Sequence, residues 1–203
     1  GVLLSGSATG FYGDRGDEIL TEACGPGEGF LSELCLRWEA AAGPAARAGL
    51  RTVQSRTGLV VSSSGGLGRI LGAAYRVGAG ARLGRGDQWQ PWIGLEDAAA
   101  GLLWAIEHDD IRGPVNLTAP EPLRNRDLHR LLSHACGPPS IAVVPQALLD
   151  RAGRGGAAGG TGGIGSMLAE LLGASQRAVP QTLLASGFRF TAPGAASIWG
   201  LGA

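Results

Sequence analysis

Three side chains near the start of this chain could handle a proton or a nucleophilic attack: Ser7, Tyr12 and Cys35. Ser7 follows a short apolar run, where a hydroxyl can hold a substrate oxygen or simply form a turn. Tyr12 can donate a proton if a neighbour lowers its pKa from about 10, and it can equally pack or contact a substrate. Cys35 can act as acid or nucleophile if a cation or dipole stabilises its thiolate. It lies on an apolar helical stripe, however, where cysteine behaves as a small hydrophobe. Glu39, one helical turn on, raises rather than lowers the acidity constant of that thiol. Arg56, at the end of a predicted strand, suits a phosphate, a carboxylate or a salt bridge to a neighbouring helix.

These positions carry a resemblance. The run Ser5-Gly6-Ser7-Ala8-Thr9-Gly10-Phe11-Tyr12-Gly13-Asp14 resembles the strand-end Ser-Ala-Thr-x-Tyr-Gly motif of extended short-chain dehydrogenases/reductases. In Phe30 to Glu39, the places of that superfamily's Tyr-x-x-x-Lys pair are taken by Cys35 and Glu39. Further matching segments follow in order: Arg56-Thr57-Gly58-Leu59-Val60, Gly84 to Asp97, Gly113 to Pro120, Ser175 to Pro180 and Gly187 to Phe190. The series is similar to the atypical subgroup called epimerase-family proteins, with bacterial, mitochondrial and chloroplast members. The resemblance implies NADP(H) as cofactor and a hydride exchanged with a carbonyl or alcohol carbon held by Ser7, with Tyr12 or water carrying the proton. It also implies that Arg56, Thr57, Gly58 and Leu59 pass beside the nicotinamide end of the cofactor. The alternative is a fold retained as a structural or assembly subunit of a larger complex, organellar in some members, with no catalysis.

Elements that could position these residues are readable. Gly1 to Ser5 reads as a buried strand, Phe30 to about Arg47 as a helix, and Leu50 to Val61 as strand continuing to a Ser/Gly turn. Strand, helix, strand is the crossover unit of a doubly wound sheet. Beyond it the pattern predicts a helix within Gly66 to Gly78, a hairpin-like segment from Arg82 to Ile93 carrying Trp89 and Trp92, and an amphipathic helix from Leu95 to His108. Then follow a strand at Val115 to Thr118, a helix at Asn125 to Ala135, a strand at Ile141 to Val144, and helical character at Ser166 to Leu172 and Gln181 to Ala185. Asp14 to Gly29 reads as an active-site loop. The fold class is α/β: a partial doubly wound, Rossmann-type parallel sheet lacking its N-terminal cofactor-binding half, plus a smaller C-terminal α/β substrate lobe. The expected division is 1–61 for the sheet domain and 62–203 for the lobe, with the helix at 95–108 packing back on the sheet.

Gly159 to Gly165 matches the G-x-x-G-x-x-G spacing of a dinucleotide fingerprint, yet Arg151 to Ala158 before it forms no strand, so 151–165 reads as a flexible Gly/Arg-rich loop. NADP(H) is therefore not expected to bind this chain alone. The first strand needs neighbours on both edges, so an upstream segment or a separate chain is expected to complete the sheet.

Composition excludes other classes. Seventeen acidic residues balance seventeen basic ones among 203, and every basic one is arginine. This gives no charge excess for nucleic acid, and no lysine for a Schiff base. Cys24, Cys35 and Cys136 are spaced for neither a disulfide framework nor, with His108, His129 and His134, a metal site. They fit a reducing compartment, whether cytoplasm, mitochondrion or chloroplast. No apolar run reaches the ~20 residues of a membrane span.

Overall fold

The computed structural model describes residues 1–62, 72–136, 142–145, 147–148, 172–192 and 194. The expected fingerprint-like run at Gly159 to Gly165, the loop 151–165 and most of the helix at Ser166 to Leu172 lie outside these residues.

Val2–Ala8 (β1), Arg51–Thr57 (β3) and Gly113–Leu117 (β8) form an all-parallel sheet in the order β1-β3-β8. Phe30–Ala41 (α1) and Gly43–Arg47 (α2) connect β1 to β3. The single helix expected from Phe30 to Arg47 is thus divided at Ala42, because Pro44 starts a new helix and cannot continue the old one. One face of the sheet supplies Val53, Val115 and Leu117 to the main core, where they meet Ile93, Leu183 and Phe188. Val2 and Leu4 pack on its margin. Leu95–Glu107 (α3) covers this face through Ala98 and Ala105, as its amphipathic pattern predicts. Asp97 in its first turn is buried and accepts hydrogen bonds from the Thr191 N–H, the Thr191 hydroxyl and the Ala192 N–H. It therefore anchors the C-terminal segment as well as answering the helix dipole. Among the described strands β1 pairs only with β3, and Val2, Leu3 and Leu4 are half-buried.

The stretch from Leu50 to Val61 is two strands. At Gly58 the chain leaves β8 for a new neighbour, and Leu59–Val61 (β4) pairs in parallel with Trp92–Gly94 (β7). A Cβ on Gly58 would lie 2.7 Å from the Pro91 carbonyl oxygen, so the crossover requires glycine.

The segment from Arg82 to Ile93 is not a hairpin. Ala81–Leu83 (β5) pairs in parallel with Ala142–Val144 (β10), and Trp89–Gln90 (β6) pairs antiparallel with Leu123–Arg124 (β9). Pro91 separates β6 from β7 and removes a ladder donor, so each apolar pair finds a distant partner instead of its neighbour. The two tryptophans part accordingly. Trp92 is buried with Val61 and Ala119, whereas Trp89 lies against the guanidinium groups of Arg124 and Arg177 at 4.4 and 4.7 Å. Asn125–Cys136 (α4) and Gln181–Ala185 (α5) stand within a residue of where the sequence pattern puts them. The presumed loop from Asp14 to Gly29 contains Ile19–Leu20 (β2), paired in parallel with Arg177–Ala178 (β11). Leu20 is fully buried there.

Candidate functional site

Register builds the site. Ser7 on β1 stands opposite Arg56 on β3, and Arg56 stands opposite Asn116 on β8. Residues in register on parallel strands project from the same face. The three side chains therefore form a polar row across the sheet, near the carboxyl ends of its strands, on the face away from the main core. That end is where open α/β sheets place ligands.

The row continues onto the elements above it. The Ser7 hydroxyl donates to Glu39 Oε1 at 2.8 Å. Arg56 grips the same carboxylate with two forks, Nε to Oε1 at 2.8 Å and Nη2 to Oε2 at 2.9 Å. Its Nη1 donates to the Tyr12 hydroxyl at 3.0 Å, and that hydroxyl donates to Asn116 Oδ1 at 2.7 Å. Asn116 Nδ2 then reaches the Leu20 and Val179 carbonyls. Five side chains from β1, α1, β3, β8 and the 3-10 turn Thr9–Tyr12 are joined in one hydrogen-bonded network. The Arg56 guanidinium also lies 3.5 Å from the centre of the Phe11 ring, a cation–π contact that fixes its plane. Burial lowers the guanidinium's pKa, but hydrogen bonds and charge from Glu39 and Tyr12 outweigh it and hold Arg56 above its ordinary value. Arg56 is a permanent cation here.

Tyr12 has no exposed surface. Burial pushes its phenol pKa up, against the lowering effect of Arg56 and Asn116. With its oxygen held between a donor and an acceptor, Tyr12 serves as a strut between β3 and β8. Cys35 is 1% exposed and its thiol pKa is raised, chiefly by burial. The Ala8 and Phe11 backbone groups offer it hydrogen bonds that do not overcome that burial. Alkylation of Cys35 by iodoacetamide at pH 7 is expected to be at least about a hundredfold slower than that of a free thiol, because only the exposed thiolate reacts. Labelling of Cys35 in the folded chain at the free-thiol rate, read by peptide mass spectrometry, would contradict this placement.

The turn carrying Phe11 and Tyr12 is held from below. Gly27 N–H donates to the Phe11 carbonyl at 3.0 Å, and the Ser32 hydroxyl lies 2.8 Å from that carbonyl and 2.9 Å from Gly27's own. Glu22 ties β8 to α5 by accepting from the Asn116 and Thr182 N–H groups on Oε1. Its Oε2 is buried with no hydrogen-bond partner among the described residues.

Separate from this network, a cleft of about 570 Å³ opens at Asp14, Gly16 and Asp17, with Arg85, Asp87, Arg124 and Ser175 on its walls. Asp17 latches the loop to β6 and β9. It accepts from the Trp89 indole N–H at 2.7 Å and from Arg124 Nη2 at 2.9 Å, contacts that hold its carboxyl below the usual range. Ser175 adds a bond to the Gly16 carbonyl at 2.7 Å.

Of the residues singled out in the sequence, Ser7, Tyr12, Cys35 and Arg56 are brought together. Thr57, Gly58 and Leu59 follow along the strand end. Arg56 is buried and committed to Glu39, and the Thr57 hydroxyl lies 2.9 Å from that of Ser55. Gly58 is crowded by Pro91, and Leu59 lines a small apolar cavity with Val61 and Trp92. Asn116, Asp17 and Glu22 are hydrogen-bonded into the surroundings of these residues and are not singled out by sequence pattern. The signal for Asn116 is a polar residue inside a strand otherwise read as apolar.

With this geometry in place, sequence relationships become interpretable. Over 189 residues, 93% of its length, the chain is 39% identical to an epimerase family protein of Mycobacterium tuberculosis, of which it spans 59%. It is 33% identical over 191 residues to the epimerase family protein YfhF of Bacillus subtilis. The chain is homologous to epimerase family proteins. It spans about three fifths of the length of these relatives, 59% in each case. Residues 163–197 match a domain of unknown function, DUF1731. Among solved structures, it resembles the human epimerase family protein SDR39U1 determined with NADPH, at a TM-score of 0.82 and 25% identity, covering 98% of this chain and 63% of that one. A nucleoside-diphosphate sugar epimerase from Corynebacterium glutamicum gives a TM-score of 0.74 at 34% identity, covering 99% and 37%. The α/β architecture with a parallel, Rossmann-like sheet is shared with these structures.

Proposed function

We propose that this chain is the substrate-facing portion of an NAD(P)-dependent oxidoreductase or epimerase of the epimerase family, working with a dinucleotide-binding portion that the 203 residues do not supply. The carrying observation is the row Ser7–Arg56–Asn116 at the carboxyl end of a parallel sheet, capped by Glu39 and Tyr12. Ser7 faces the reacting group of the substrate. Thr57, Gly58 and Leu59 border the nicotinamide end by contact rather than by charge, since the Arg56 charge is already paired with Glu39. The cleft latched by Asp17 admits the rest of the substrate. A bound nicotinamide supplies hydride exchange. This chain's residues orient the substrate oxygen and keep the surrounding network dry. The edge of β1 that pairs with no described strand receives the strands of the dinucleotide-binding portion, whether upstream in the same polypeptide or on another chain.

Calorimetric titration of NADPH tests this reading in two samples: the 203-residue chain, and the same chain fused behind the part of the Mycobacterium tuberculosis relative left out of the match. The expected result is no measurable binding to the first and micromolar binding to the second, because a helix N-terminus and its glycine-rich turn supply most of the anchoring. A folded fusion that fails to bind NADPH would overturn the reading. Micromolar binding to the unfused chain would overturn its dependence on a second portion.

A further inference from the structure

We infer that Glu39 is a positioning residue that converts Ser7 into a hydrogen-bond acceptor, so that the site selects a ligand hydroxyl over a ligand carbonyl. The inference rests on the proposed placement of Ser7 against the substrate.

A serine hydroxyl has one proton to give and two lone pairs to receive. Here the proton is committed: Ser7 Oγ donates to Glu39 Oε1 at 2.8 Å. The carboxylate has no proton to return, and it cannot swing away. Arg56 holds both of its oxygens, at 2.8 and 2.9 Å, and Arg56 is itself fixed by Phe11 and Tyr12. The Arg56 side chain is 5% exposed and the Glu39 side chain 15%, so water does not compete strongly for either. Cys35, within hydrogen-bonding reach of Ser7, can occupy at most one of the two lone pairs. At least one remains, on a residue that is 7% exposed, so a ligand reaches it only by direct contact at the end of β1. A ligand meeting Ser7 finds an acceptor: an alcohol O–H completes the pattern, whereas a carbonyl oxygen meets a lone pair and gains no bond. If Ser7 turned its proton to a carbonyl, Glu39 Oε1 would lose a charge-assisted bond while still held by Arg56, which costs more than the new bond returns.

The test uses two probes of nearly equal shape, cyclohexanol and cyclohexanone, titrated into the intact 203-residue chain while the Ser7 and Ala8 amide signals are followed by NMR. The alcohol is expected to shift these signals at a concentration about fivefold lower than the ketone, the ratio that one net hydrogen bond supplies. In the double variant Glu39→Leu with Arg56→Leu, Ser7 regains its proton and the preference is expected to vanish or reverse. In Ser7→Ala both probes lose their effect on the neighbouring amides. Equal or tighter ketone binding in the natural sequence, an unchanged preference in the double variant, or no shift at Ser7 with either probe would each overturn the inference. A clear alcohol preference alongside failure of the fused chain to bind NADPH would leave the inference standing and remove the proposed function.

Discussion

Replacing Glu39 by leucine is expected to lower the unfolding free energy by about 3–5 kcal/mol, because it strands the Arg56 guanidinium in the interior without its counter-charge. Arg56 is 4% exposed, and its remaining partners, Tyr12 and the Glu22 carbonyl, offer neutral oxygens only. The double variant Glu39→Leu with Arg56→Leu is expected to lose less than the single one, since no charge is left buried and two apolar side chains take the space. Denaturant unfolding of the three proteins measures both differences. A loss below about 1 kcal/mol in the single variant would show the pair to behave like a surface ion pair. The double variant would then have nothing to recover.

The second large effect concerns backbone proximity. A Cβ on Gly27 would lie 1.9 Å from the Tyr12 carbonyl oxygen and 2.8 Å from Gly13 N, with only backbone atoms in its way. Gly13 itself has φ of 61°, a left-handed conformation that leaves the turn little room to retreat. Gly27→Ala is therefore expected to cost about 3 kcal/mol or more and to displace Tyr12 from Arg56 and Asn116. Unfolding midpoints report the first consequence, and the amide shifts of Tyr12 and Asn116 report the second. A change within about 0.5 kcal/mol and undisturbed amides would mean that the loop from Gly25 to Gly29 does not brace the turn.

Sequence pattern reaches the elements whose signal is local. The helix Leu95–Glu107 has a 3.6-residue apolar period with acids in its first turn, and the strand-helix-strand order of β1, α1 and β3 follows from period and length. It does not reach β2 and β11, because two-residue strands have no period, and Ile19 pairs with Arg177, far along the chain. The supposed hairpin from Arg82 to Ile93 fails for a related reason: its three short strands each satisfy their hydrogen bonds with a different, distant segment. The site is legible as a list of residue types. Ser7, Tyr12, Cys35 and Arg56 stand out from the sequence, and a salt bridge from Arg56 to a helix is one of the readings open to it. What chooses among those readings is register. Placing Ser7, Arg56 and Asn116 on one rung requires the sheet order β1-β3-β8, and that order brings Glu39 over Arg56 from a helix seventeen positions earlier. Trp38 marks the same limit from the other side, since it fits the apolar stripe of α1 by spacing yet is 47% exposed.

The measurement that bears most directly on the functional account is a crystal structure of the fused chain with NADPH bound. The account predicts the nicotinamide ring over the carboxyl ends of β1 and β3, in contact with Ser7 and with the Thr57–Gly58 backbone, while the Glu39–Arg56 pair stays closed. A nicotinamide ring lying elsewhere on the sheet, or Arg56 drawn away from Glu39 to bind the cofactor's phosphates, would contradict it.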